Sequence, residues 1–220
     1  SVPLMVFIRN PVLFRIGLLV MMTTLATGAL EAGIPLFLED NLGLNAAWIG
    51  AVLLVMVVAQ GIGGWMWGAL VDRNGPVRYM TIGWYVVTIA MLAAGYVAHS
   101  ISDTTLAAYC IIVILGIFQF AISAAQVPML PMVDTATSQV YGKGGAGLAF
   151  GAFGTAWAAG TIVGPMVIGS VFDYTNSWGI TLGILAIPMF IGLIITLTNR
   201  QLLEDCYNSE MSKRLESSDS

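Results

Sequence analysis

The sequence predicts an all-α, polytopic membrane protein built as a bundle of six transmembrane helices. Three observations predict it. Lys, Arg, Asp and Glu together make up 9% of the chain, where a soluble domain carries about 25%. Of the 220 residues, 58% are hydrophobic and the mean hydropathy is +0.87, more apolar surface than so few charges can cover in water. The apolar residues also fall in long runs between charges and turn residues, each reaching the roughly 20 residues that a bilayer core demands. A lipid bilayer is therefore the first partner expected.

The spans fall at about 16–38, 47–71, 79–98, 106–132, 146–172 and 179–198, making 1–198 the membrane bundle and 199–220 a polar tail. The first ends at Glu39 and Asp40, and the second at Asp72 and Arg73. The third and fourth contain no charge between Tyr79 and Ala98 or between Leu106 and Val133. The fifth is rich in Gly and ends at Asp173, and the sixth ends before Arg200. The 25 Gly suit close helix packing in lipid, and the 12 Met and 6 Trp suit apolar packing and interfacial anchoring. The tail mixes both signs with several Ser and reads as solvated and disordered.

Six spans put both ends on one side. All 8 basic residues lie there: Arg9, Arg15, Arg73, Arg78, Lys143, Arg200, Lys213 and Arg214. The positive-inside rule makes that side, and both termini, cytoplasmic. A plasma membrane or a vesicle or vacuole membrane would satisfy it equally. The net charge of −4 gives no basic footprint for nucleic acid. Cys110 and Cys206 form no metal or disulfide pattern, and no cofactor is expected. The start at Ser1, without the basic start and cleavage site of a signal peptide, suits a fragment or a processed chain.

Two motifs stand out. The loop after the second span reads Gly68-Ala-Leu-Val-Asp72-Arg73-Asn-Gly75-Pro-Val-Arg78. Its Asp and two Arg can pair at the membrane surface as a latch, or simply form a polar loop. The fifth span carries Gly151, then Gly160 and Gly164-Pro165. The small residues permit close helix contact, and the proline removes a backbone donor and allows a bend.

Together these motifs resemble one half of a major facilitator superfamily transporter, a fold of twelve helices built from two six-helix halves. The approach Ile8-Arg-Asn-Pro11, the segment Ala29-Leu-Glu31-Ala-Gly-Ile-Pro35 and the run Tyr141-Gly-Lys-Gly-Gly-Ala-Gly are similar to the seventh- and eleventh-helix regions of vesicular amine transporter-like and drug:proton antiporter members. The resemblance implies the carboxy-terminal half, helices seven to twelve. The sequence departs from the amine transporters in having no acid around Ala121–Ala125 or Ala152–Ala156.

Glu31 is the one ionisable side chain well inside a span, about 10 Å below the outer end at 1.5 Å per residue. Such residues usually face a cavity or a partner. A carboxylate alternating between a proton and a cationic substrate is a minimal exchange device, and a hydrogen-bonded structural Glu is the competing reading. Gln119, Ser123 and Gln126, spaced by four and three, share one face of the fourth span. They suit either a substrate-lined cavity or polar glue between helices, as does Gln60. Phe118, Phe120, Phe153 and Trp157 are available for stacking or packing, and Pro35, Pro128, Pro131, Pro165 and Pro188 offer bend points. His99 and Asp134 read as surface groups, and Cys206 as a free thiol.

The expected function is half of a secondary transporter, exporting or exchanging a small organic molecule, with cations among the candidates, against protons by alternating access. Its expected partners are the amino-terminal six-helix half or a second copy, the substrate and protons. A self-assembling six-helix channel or scaffold, or a truncated chain without activity of its own, are the alternatives. An intramembrane enzyme lacks the Ser-His or paired-Asp arrangement it would need.

Overall fold

The computed structural model describes residues 10–141 and 146–218. Among them are nine α-helices and no strand: α1 Pro11–Asp40, α2 Ala46–Asn74, α3 Pro76–Ser100, α4 Thr104–Gln126, α5 Met129–Tyr141, α6 Ala146–Thr175, α7 Trp178–Gly183, α8 Ala186–Thr198 and α9 Arg200–Ser218. Six stretches are long and apolar enough to cross a bilayer, the fourth comprising α4 with α5 and the sixth α7 with α8. The chain is thus all-α and membrane-spanning. Arg9 and Lys143 lie outside the described residues, as do the Gly142–Gly145 run and the side chains of Lys213 and Arg214.

Local chemistry sets the helix starts. Asn10 accepts from the Val12 and Leu13 amides at 2.9 and 3.3 Å, with Pro11 as the first helical residue of α1. Asn45 caps α2 through Trp48, and Asp103 caps α4 through Thr105 and Leu106. Between α2 and α3 a single residue, Gly75 at φ +82°, reverses the chain, and Pro76 opens α3. The loop expected over Asp72–Arg78 is therefore almost wholly helical.

Two spans are broken, each at proline. Pro128 and Pro131 have no N–H to give the carbonyls of Ala124 and Val127, and α4 stops at Gln126 before α5 starts at Met129. Pro188 likewise cannot bond the Ile184 carbonyl, and Ile184 and Leu185 separate α7 from α8. Pro35 and Pro165 sit inside continuous helices.

Lipid offers no hydrophobic drive between helices, so association rests on close packing and interhelical hydrogen bonds. Helix α1 lies parallel against α6, and α3 is central, packed on α4, α7 and α8. The core follows helical spacing: Leu30, Ile34 and Phe37 on α1, Met80, Trp84, Val87 and Met91 on α3, and Ile111, Leu115, Phe118 and Ile122 on α4, all fully buried. Gly192 lets α8 approach the Trp84 ring; a Cβ there would sit 2.5 Å from it. At the end away from the termini, Trp178 stacks on Phe172 at 4.2 Å and meets Phe37 edge-on at 5.6 Å. Helices α2 and α6 are the least covered, with 17% of the apolar stretch of each buried, against 56% for α1.

The polar tail corrects one expectation. Residues Arg200–Ser218 form helix α9, which lies against α5 and α3. Leu203, Cys206 and Tyr207 recur at spacings of three and one, so they share a buried stripe while Gln201, Asp205 and Asn208 face outward. Cys206 is accordingly buried, with its Sγ donating to the Met132 carbonyl at 3.3 Å.

Candidate functional site

Glu31 lies on α1 with its side chain on the surface of the six-helix bundle. Its neighbours at i−3 and i−4, Gly28 and Thr27, mark how it is placed. Gly28 is pressed against the Thr161 backbone of α6, where a Cβ would stand 3.1 Å away. Two residues on, Gly33 meets Ile168. Glu31 therefore sits between two close approaches of α1 to α6, at membrane depth, with its carboxylate outside the packed core. Four residues later Pro35 cannot donate to the Glu31 carbonyl, so this turn carries both a carboxylate and a backbone acceptor that the helix does not bond from that position.

The glycine motif of α6 divides in two. Gly160 and Gly164 are buried against α1, where added Cβ atoms would strike Thr24 and the Met21 and Leu25 carbonyls. Among the described residues, nothing lies within 4 Å of such an atom on Gly151, nine residues before Gly160, or on Gly147 or Gly154. Pro165 follows the contact without breaking the helix.

Ser123 and Gln126 meet α2 at the α2–α4 seam, with Gln119 buried one turn before Ser123. The Ser123 hydroxyl lies 3.0 Å from the Gln60 carbonyl and 3.1 Å from its own Gln119 carbonyl. Gln60 Nε2 donates to Gln126 Oε1 at 3.2 Å, and Trp67 Nε1 donates to the Phe120 carbonyl at 2.9 Å. Gly63, one turn from Gln60, permits the approach, since a Cβ there would lie 2.6 Å from that same carbonyl. Gln119 and Ser123 are buried, and among the described residues Gln119 Oε1 has no hydrogen-bond partner. The polar stripe thus faces a helix. Phe120 packs on Trp67 at 5.3 Å, Phe118 is fully buried, and Trp157 is exposed.

In the loop motif, a Cβ on Gly68 would come no closer than 3.9 Å to Val127, while Asp72, Arg73 and Arg78 are exposed. Neither arginine lies within 4 Å of the Asp72 carboxylate; among the described residues the ion pair is Arg200–Glu204 at 3.1 Å. Asp72 instead accepts from Tyr207 Oη at 2.8 Å. A separation of 135 residues hid this contact from sequence reading. The apolar stripe of α9 was its one available signal. The Trp67–Phe120 bond, 53 residues apart, escaped it in the same way, and the Asn74–Tyr79 bond, only five residues apart across the Gly75 turn, went unread as well.

Among known proteins, the chain is 26% identical over 171 residues to the probable L-galactonate transporter of Escherichia coli (strain K12), a match spanning 77% of this chain and 35% of that protein. It is 40% identical over 62 residues to the uncharacterized MFS-type transporter YfiU of Bacillus subtilis (strain 168), covering 25% of this chain and 12% of the relative. The chain thus covers about a third or less of the length of the curated relatives it matches. No solved structure matches it at a significant level. A Major Facilitator Superfamily profile matches residues 16–204, and with six membrane-spanning helices carrying that match the chain belongs to the major facilitator superfamily of transporters.

Proposed function

We propose that this chain is one six-helix half of a proton-coupled secondary transporter, its carboxy-terminal half, with both termini cytoplasmic. The half would rock against a second six-helix body to move a small organic molecule by alternating access. The observation that carries the reading is Glu31: an acid at membrane depth whose carboxylate lies outside the packed core of its own bundle. Intramembrane acids mark ion and substrate paths because lipid does not tolerate them without a partner.

The uncovered helices support the same reading. Gly147, Gly151 and Gly154 on α6, and Gly61 and Gly64 on α2, leave open tracks where another helix can approach closely. In this arrangement Glu31 exchanges a proton for substrate, Ser123 and Gln126 steady the α2–α4 pair beside the path with Gln119 one turn away as a polar group that can meet substrate, and the Asp72 loop works at the cytoplasmic surface. An organic cation suits a carboxylate directly. The likeness to a probable L-galactonate transporter favours a second substrate class, a sugar acid carried with its proton.

Proteoliposomes containing the chain, alone and with its amino-terminal partner half, test this with a panel of organic cations and sugar acids under an imposed pH gradient. Saturable flux of one compound coupled to proton movement is expected. Unsaturable ion conductance by a homo-oligomer would contradict it in favour of a channel.

A further inference from the structure

The fourth span is interrupted at Val127–Pro128, and its two parts have different companions. Helix α4 packs on α2 and α3, while α5 packs mainly on α6, α9 and α1. Pro128 and Pro131 leave the carbonyls of Ala124 and Val127 without the donors a helix would supply, so two rungs of the backbone ladder are absent at the junction, although Val127 still donates to the Ser123 carbonyl at 3.0 Å and Met132 to the Pro128 carbonyl at 3.2 Å. The junction, at the membrane face that bears the termini, is thus the weakest point of the backbone in this span, where α5 can turn relative to α4.

Helix α9 bridges this junction. On one side the Tyr207 hydroxyl donates to Asp72 at the end of α2. On the other, Cys206 Sγ reaches the Met132 carbonyl on α5, and Leu203 is fully buried beside them. Consecutive residues of one helix thus hold the two parts that the proline break allows to separate. We propose that α9 is a releasable strap, which locks α5 to the α2–α3 junction when docked and frees it to swing when the Tyr207–Asp72 bond opens. The bond is suited to this role because its acceptor is an exposed carboxylate that water can solvate on release, so opening strands no buried charge. The buried Cys206 thiol then becomes a natural reporter of the open state. This inference concerns the mobility of the chain and holds whichever compound it carries.

The experiment measures alkylation of Cys206 by N-ethylmaleimide in nanodiscs, with Cys110→Ala removing the other thiol, alongside hydrogen exchange across α5. With the strap docked, Cys206 reacts slowly. Tyr207→Phe keeps the ring and deletes the hydroxyl, and is expected to raise the alkylation rate about tenfold, the factor that a hydrogen bond to a charged acceptor is worth. Exchange over 129–138 should accelerate together with it. Asp72→Asn reads the same bond from its other end and should give a smaller rise in both. An unchanged alkylation rate in both variants would overturn the strap. Faster alkylation with unchanged exchange in α5 would overturn it as well, since Tyr207 would then merely cover the thiol.

Discussion

Adjacent glycines on α2 offer a sharp test of how the bundle is held. Gly63 faces α4 and Gly64 does not: a Cβ on Gly63 would lie 2.6 Å from the Phe120 carbonyl oxygen and 3.1 Å from Ser123 Oγ, while one on Gly64 meets nothing within 4 Å. Gly63→Ala therefore places a methyl about 0.8 Å inside ordinary contact distance. Parting the helices by that amount stretches the Trp67–Phe120 bond beyond its 2.9 Å and the Gln60–Gln126 bond beyond its 3.2 Å. Overpacking of this kind costs about 1–3 kcal/mol, and each interhelical bond lost in a membrane about 0.6 kcal/mol more. Replacing Gly by Ala within a helix returns up to about 1 kcal/mol in both variants. Gly63→Ala should thus be destabilising by about 2 kcal/mol and Gly64→Ala neutral or stabilising. Thermal unfolding in detergent, followed by tryptophan fluorescence, should separate their midpoints by on the order of 5–10 °C. Equal midpoints would refute the close α2–α4 seam.

Three further outcomes follow from the same geometry. Gln119→Leu removes a buried oxygen that has no partner and should leave the melting midpoint unchanged or raised, whereas a drop would show that the oxygen is paired. Asn10→Ala deletes the cap of α1 and should cost about 1 kcal/mol by equilibrium unfolding, with Asn10→Asp nearly neutral. Gly151→Leu should leave the isolated chain as stable as before, because none of the described residues lies near that position, and on the proposed two-body arrangement it should weaken co-purification with the second six-helix body. Gly160→Leu should instead unfold the α1–α6 pair, and equal behaviour of the two variants would contradict the division of that motif.

The spans were legible because hydropathy over about 20 residues is a strong, local signal, whereas the starts capped by Asn10, Asn45 and Asp103 were not read, and the first helix begins at Pro11, ahead of the apolar run expected from 16. Prolines announced the breaks, though the sequence does not distinguish Pro128 and Pro188, which interrupt their spans, from Pro35 and Pro165, which do not. That outcome depends on what the neighbouring helices hold in place. Helix α9 was hidden because its average composition is polar, while four apolar residues at helical spacing, Leu202, Leu203, Cys206 and Tyr207, suffice to dock it. The spacing of Gln119, Ser123 and Gln126 put them on one face, yet which helix that face meets is a tertiary fact supplied by Gln60 and Gly63. Likewise the Asp72 motif offered its own arginines as partners, and the fold supplied Tyr207 instead.

The central claim is that Glu31 couples proton movement to transport, and pH-driven accumulation by Glu31→Gln tests it most directly. In proteoliposomes carrying both halves, the wild-type protein should accumulate substrate against its gradient when a pH difference is imposed, and lose that accumulation when the difference is collapsed. Glu31→Gln should abolish the pH-driven accumulation while the protein remains folded by thermal unfolding. Undiminished proton-coupled accumulation in the variant would contradict the account.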